Sequence, residues 1–161
     1  MNIKIVRNRV AVIGVVLLAY CTLRPSTEAE KYEQVLRDMP AGTPVPASSL
    51  FNRQFDRVCM LGPYVDQFHD APEAGAVNPY LKQVEYVGDE DQWSLLWFDH
   101  DRLSLTAFDR ESDMDVPTLI DVNIAEVMPD GFESVLCADG ANAHILKISK
   151  GHDYFDLVAK K

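Results

Sequence analysis

Residues 1–23 divide into a basic head and an apolar run, and this division decides which part of the chain can build a water-soluble core. Lys4, Arg7 and Arg9 are the only charged side chains before Arg24, and Val10–Leu23 carries no charge at all. A basic patch followed by an apolar stretch has the polarity of a secretory signal, with the cations held on the cytoplasmic side. The run spans 14 residues, short of the roughly 20 that cross hydrocarbon as a helix. It has neither the period of a half-buried strand nor that of an amphipathic helix. Residues 1–21 are therefore expected to be a signal peptide or membrane anchor, 22–27 a linker, and 28–161 one folded domain.

Three endings of this segment remain open. Leu18-Ala19-Tyr20-Cys21 has the form of a lipobox, which makes Cys21 the lipidation residue, although Tyr20 stands where a small residue is usual. Ordinary cleavage needs small residues at the third and first positions before the cut, which Ala19-Tyr20-Cys21 and Thr27-Glu28-Ala29 both supply. The third ending is an uncleaved anchor. In each, the domain lies outside the cytoplasm, periplasmic or membrane-anchored.

Charge then narrows the partners. The chain has 15 Lys plus Arg and 25 Asp plus Glu; without the three cations of residues 1–21 it has 12 against 25, a formal charge of −13. Such a surface repels nucleic acid, whose binding requires phosphate neutralisation by cations. Contact with a membrane is expected only through the N-terminal segment or its lipid. A basic protein would be attracted, and solubility alone is also served.

Beyond the signal, elements follow from periodicity and turn chemistry. Thr27-Glu28-Ala29-Glu30 has the capping-box form, and Tyr32, Val35, Leu36 and Met39 recur at helical spacing, predicting a helix from Glu28 to Met39. Ala41–Ser49, with two prolines, reads as an extended connector. The middle of Phe55–Tyr64 reads as a buried strand ended by Gly62-Pro63. Tyr64–His69 can form a helical turn, Asn78-Pro79 can open a short helix running to about Val84, and Glu85–Val87 can be strand.

Trp93–Asp99 and Arg102–Asp109 predict a hairpin about His100-Asp101, with Leu103, Leu105 and Ala107 on one face and Ser104 and Thr106 on the other. Trp93, Trp97, Phe98 and Phe108 cannot share one side of it, so both faces are covered or one aromatic row is exposed. Thr118–Val127 is ambiguous, and Pro129-Asp130-Gly131 is a turn. A second hairpin is expected between Glu133–Ala138 and Ala143–Ser149, with Tyr154–Val158 as a last strand or helical turn. The sum is α+β: a single small domain, an antiparallel sheet with helices on one face.

Sites are sparse. Once Cys21 is set aside, Cys59 and Cys137 form an even pair, and an oxidising compartment allows a disulfide between them. Alternatively, both are small apolar residues inside strands. The acidic stretch 109–115 spaces carboxylates by two, but a calcium loop counted from Asp109 would need Gly and Glu where Met114 and Ile120 stand. It reads as a solvated acidic turn. His69, His100, His144 and His152 show no zinc spacing. Asp99-His100-Asp101 could hold a metal weakly, but at a hairpin it reads as a polar turn. Ser48, Ser49, Cys59 and Cys137 lack a nucleophile context. No cofactor, metal site or catalytic residue is expected.

The stretch Phe55-Asp56-Arg57-Val58-Cys59-Met60-Leu61-Gly62-Pro63-Tyr64 resembles a motif of small bacterial lipoproteins and secreted proteins of uncharacterised function, as does a later Trp- and Leu-rich strand like Trp93–Phe98. The resemblance implies export and a compact α+β domain, and brings no activity. Physically, Asp56 and Arg57 would pair at the strand entrance while Tyr64 packs over the Gly-Pro turn. The function expected is an exported, envelope-associated, lipid-anchored domain that binds without catalysis. Two alternatives stand beside it: an acidic inhibitor or immunity-type protein against a basic partner, and a small hydrolase with a dispersed site.

Overall fold

Thr27 opens the first helix as its sequence dictates. Its hydroxyl accepts from the Glu30 amide, the Glu30 carboxylate accepts from the Thr27 amide, and α1 runs over Glu28–Asp38. A computed structural model describes residues 27–69, 71–110, 113–117 and 123–161; the N-terminal segment, with Cys21, lies outside them. Residues 41–49 are more structured than an extended connector: a two-residue strand β1 (Val45–Pro46) leads straight into a short helix α2 (Ala47–Leu50), whose Ala47 is buried in the core.

Strand β2 (Arg57–Leu61) follows, then α3 (Ala74–Gln83). This helix begins four residues before the expected Asn78 cap. Asn78 lies inside it, where its amide both donates to and accepts from the Phe68 backbone, and Pro79 is also internal. Residues 64–69 form turns and bends, not a helical turn, and 85–87 are not strand.

The predicted hairpin is present as β3 (Gln92–Asp99) and β4 (Arg102–Asp109), paired without interruption from Gln92↔Asp109 to Asp99↔Arg102. His100 at its turn takes a positive φ of 54°, an uncommon conformation for a residue with a Cβ. The remaining elements are α4 (Ile124–Val127), β5 (Phe132–Ser134), β6 (Cys137–Asp139), β7 (Ala143–Ser149) and β8 (Asp153–Lys160). Residues 118–122, the first half of the ambiguous segment, lie outside the described residues.

The second hairpin differs from expectation. β5 pairs with β8, β6 with β2, and β7 forms its hairpin with β8 across Lys150–His152. The chain changes sheets between β5 and β6. Glu133–Ala138 is thus two three-residue strands in different sheets, and its mixed pattern could not show the break. Tyr154–Val158 is strand.

The fold is α+β, a small single domain with two antiparallel sheets, ordered β4-β3-β2-β6 (the first sheet) and β1-β7-β8-β5 (the second). Alternate residues of both sheets meet in one core: Val58, Met60, Trp93, Leu95, Trp97 and Phe108 from the first, Ile145, Phe155 and Leu157 from the second. Tyr32 and Leu36 of α1 close this core from the side. The outer face of the first sheet (Cys59, Leu61, Leu96) is covered by Val77 and Leu81 of α3. Among the described residues, the outer face of the second (Leu146, Ile148, Tyr154, Val158) is covered only by Val127, Met128 and Phe132, all half-buried. Helices therefore do not share one face.

Both faces of the aromatic hairpin are covered. Trp93 stacks on Phe108 at 4.3 Å between ring centroids and reaches Phe155 of the opposite sheet. Thr106 lies on the inward row of β4 with Phe108, while Leu103 and Leu105 face α3, and the Trp97 indole N–H donates to its hydroxyl at 3.1 Å. That buried donor is satisfied, as burial requires.

Candidate functional site

The first candidate region is the end of the first sheet where the β3–β4 turn meets the start of β2 and the end of β6. Backbone packing is tight there: the Gly140 amide donates to the Asp56 carbonyl at 2.7 Å, and a Cβ on Gly140 would overlap the Phe55 carbonyl oxygen. Asp56 and Arg57 do not pair with each other, which corrects the expectation from sequence. Successive strand residues point to opposite faces. Asp56 accepts from the His100 amide at 2.7 Å, while the Arg57 guanidinium bonds Asp139 and Glu73. These bonds, led by the one from Asp139, raise the Arg57 pKa and keep it charged.

His100 stands among carboxylates, with Nδ1 3.0 Å from Asp99 Oδ1 and 3.6 Å from Asp56 Oδ2, but it is 86% exposed. It lies on an open surface, not in an enclosed cleft. The carboxylates of Asp56, Asp99, Asp101 and Asp139 are all exposed at this end. Among the described residues no group of three or more His, Cys, Asp and Glu is placed to hold a metal ion.

Tyr64 does not pack over the Gly-Pro turn. It is 69% exposed with φ of 62°, and its hydroxyl donates to Glu90 at 2.7 Å. The acidic stretch also differs from a simple solvated turn. Asp113 pairs with Arg37, Asp115 pairs with Arg110, and Met114 and Val116 are buried between the sheets. The Trp93 indole N–H donates to the Met114 carbonyl at 3.1 Å. Residues 111–112 of that stretch lie outside the described residues.

Cys59 and Cys137 are joined by a disulfide. They stand opposite in register on β2 and β6, and both side chains point to the outer face under α3. Each is thus also an apolar strand residue, and the two sequence alternatives describe the same pair. Cys21 lies outside the described residues. Ser48 and Ser49 sit in α2, away from any histidine bond among those described.

The second candidate region carries a group that periodicity did not single out. Asp156 lies in β8 between aromatic and aliphatic neighbours and is buried to 6% exposure. Its Oδ1 accepts from the Ser134 hydroxyl at 3.1 Å, and its Oδ2 is buried without a hydrogen bond. Burial pushes its pKa up to about 6, and the Ser134 hydroxyl and Leu157 amide offset only part of that effect. Ser134 also lines an apolar cavity of about 360 Å³ with Ile124, Met128 and Phe132.

His144 shares this face but bonds Asn142 O through Nδ1 and meets Phe132 edge-on. Ser134 and Asp156 therefore form a hydroxyl–carboxyl pair, without the imidazole that would activate a serine nucleophile.

No family model, no curated protein and no solved structure matches the chain. No helix among the described residues is long and apolar enough to cross a membrane.

Proposed function

We propose that this chain is an exported, envelope-associated domain, anchored by lipid on Cys21, that binds a partner without catalysis. The observation that carries the proposal is the Cys59–Cys137 bridge. Disulfides persist in oxidising compartments and are rare where cytosolic thiol reductants act. Together with the basic head and apolar run of residues 4–23, it supports a domain that matures outside the cytoplasm. The open setting of His100 and the Ser134–Asp156 pair without its imidazole favour binding over hydrolysis.

The test is fractionation of cells that produce the native chain and Cys21→Ala. The native chain should sediment with membranes, and Cys21→Ala should leave the lipid-modified pool. Recovery of both as soluble cytoplasmic protein with free thiols would overturn the proposal.

One observation favours the acidic-inhibitor reading as a second choice. The exposed carboxylates Asp56, Asp99, Asp101 and Asp139 converge from the ends of β3 and β6, the residue before β2 and the β3–β4 turn. Such a convergence suits a cationic surface, whose attraction weakens as salt screens it. Partner capture at low but not moderate ionic strength, lost in an Asp99→Asn, Asp101→Asn double variant, would support this reading. Capture insensitive to both would remove it.

A further inference from the structure

The second sheet is covered unequally on its two sides. Its inner face meets the first sheet across a core of aromatic and branched side chains. Among the described residues its outer face meets only the segment Ile124–Phe132, whose helix α4 is four residues long and buries no residue completely. Beside this segment lies the 360 Å³ cavity that Ser134 lines. Beneath the same covered face, in the row of Tyr154 and Val158, is the carboxyl of Asp156 with one unbonded oxygen.

We propose that Ile124–Phe132 is a pH-controlled cover, closed on the second sheet when Asp156 carries its proton and opened when Asp156 is ionised. A neutral carboxyl can stay beneath apolar cover at modest cost. An ionised one needs more solvation than the Ser134 hydroxyl and the Leu157 amide give. Opening admits water to Asp156 and bares Leu146, Ile148, Tyr154 and Val158. The proposal is independent of export or anchoring.

The other ionisable groups near Asp156 are few among the described residues. On β7, His144 shares the face. It stands opposite Val158, two pairs further along β8 from the Asp156↔Leu146 pair. On β8 itself, Tyr154 precedes Asp156 in the same row. Glu133 and Lys161 line the neighbouring cavity, and Glu126 on α4 is exposed and accepts from Asn123. Lys147 and Asp153 pair with each other on the inner side, where Lys147 lies over the Phe155 ring. His144 is the histidine on this face among the described residues, so it needs its own control.

Hydrogen exchange of the full-length chain in mild detergent, followed by mass spectrometry and corrected for intrinsic rates, reads the cover directly. With an Asp156 pKa that rises from 3.8 when open to about 6 when closed, the opening equilibrium grows roughly 25-fold between pH 4.5 and 7.5. Protection of the peptide 123–134 should fall by about that factor, while a peptide within β3 stays protected. Asp156→Asn should abolish the fall and His144→Gln should keep it. Ser134→Ala removes the bond that stabilises the carboxylate, and should shift the midpoint to higher pH. Equal protection at both pH values would overturn the proposal. So would an unchanged fall in Asp156→Asn, loss of the fall in His144→Gln, or an unmoved midpoint in Ser134→Ala.

Discussion

Cys59 and Cys137 face each other across β2 and β6 with their Cα atoms 4.0 Å apart, closing a loop of 78 residues beneath α3. The bridge ties β6, a three-residue edge strand, to the centre of the first sheet. Without it, β6 is held by three residue pairs, the packing of Ala138, the Arg57–Asp139 bonds and the Gly140 bond to Asp56. Loop-closure entropy for that separation is worth about 4.5 kcal/mol. Chemical unfolding of Cys59→Ala, Cys137→Ala against the native chain should show a loss of about that size. A loss under about 1 kcal/mol would mean that β6 is held by its packing alone.

Gly140 tests the same corner without touching the disulfide. Gly140→Ala places a methyl against the Phe55 carbonyl, which is backbone and cannot rotate away. The end of β6 and the bond from Gly140 N–H to Asp56 O must shift. The expected cost is about 2 kcal/mol, typical of overpacking, measured as a lower midpoint of thermal or urea unfolding.

Asp156 makes stability depend on pH in a definite direction. Its folded pKa of about 6 lies above its ordinary 3.8, so the folded state holds the proton more tightly. The benefit is complete below about pH 4 and is lost as pH rises through about 6. The gap corresponds to about 3 kcal/mol. Asp156→Asn resembles the protonated side chain in shape and charge. Its stability relative to native should be near equal at pH 4 and higher by up to about 3 kcal/mol at pH 7.5. A difference that does not change with pH would show that Asp156 is solvated in the native state.

Lys147 gives the opposite slope. Its ammonium donates to the Arg37 carbonyl at 2.8 Å and pairs with Asp153 at 2.8 Å, joining the end of α1 to the second sheet. Burial alone would raise the Asp153 pKa, but the bonds from Lys147 and Ser149 outweigh it and hold the carboxyl below its ordinary value. Stability from this group is present above the ordinary 3.8 and is lost as pH falls through the lower folded value. Lys147→Ala should cost about 3 kcal/mol at pH 7. Lys147→Met should cost less, because the aliphatic stem still covers the core. Both deficits should shrink at acid pH.

These sites differ in how far the sequence reveals them. The β3–β4 hairpin is legible because its two strands are long and meet at a polar dipeptide. The α1 cap is legible because a capping box is a local pattern. β5 and β6 are not: each is three residues long, and the switch between sheets at Val135–Leu136 leaves no turn residue to mark it. That the Ser104–Thr106 row of β4 turns inward and the Leu103–Leu105 row faces α3 depends on what packs against each face, which comes from distant segments. The disulfide could be named as a pair but needed the β2–β6 register to be placed. Asp156 did leave a trace, a carboxylate in the Tyr154–Val158 run at the parity of Tyr154 and Val158. That trace gains meaning only once both faces of β8 are known to be covered.

The central claim, export with lipid on Cys21 and a bridged pair in the domain, is tested most directly by the intact mass of the protein isolated from its native cells. The account predicts a chain that begins at Cys21, carries the added mass of attached acyl chains, and gains two hydrogens on reduction. An intact, unmodified Met1 with Cys59 and Cys137 as free thiols would contradict it.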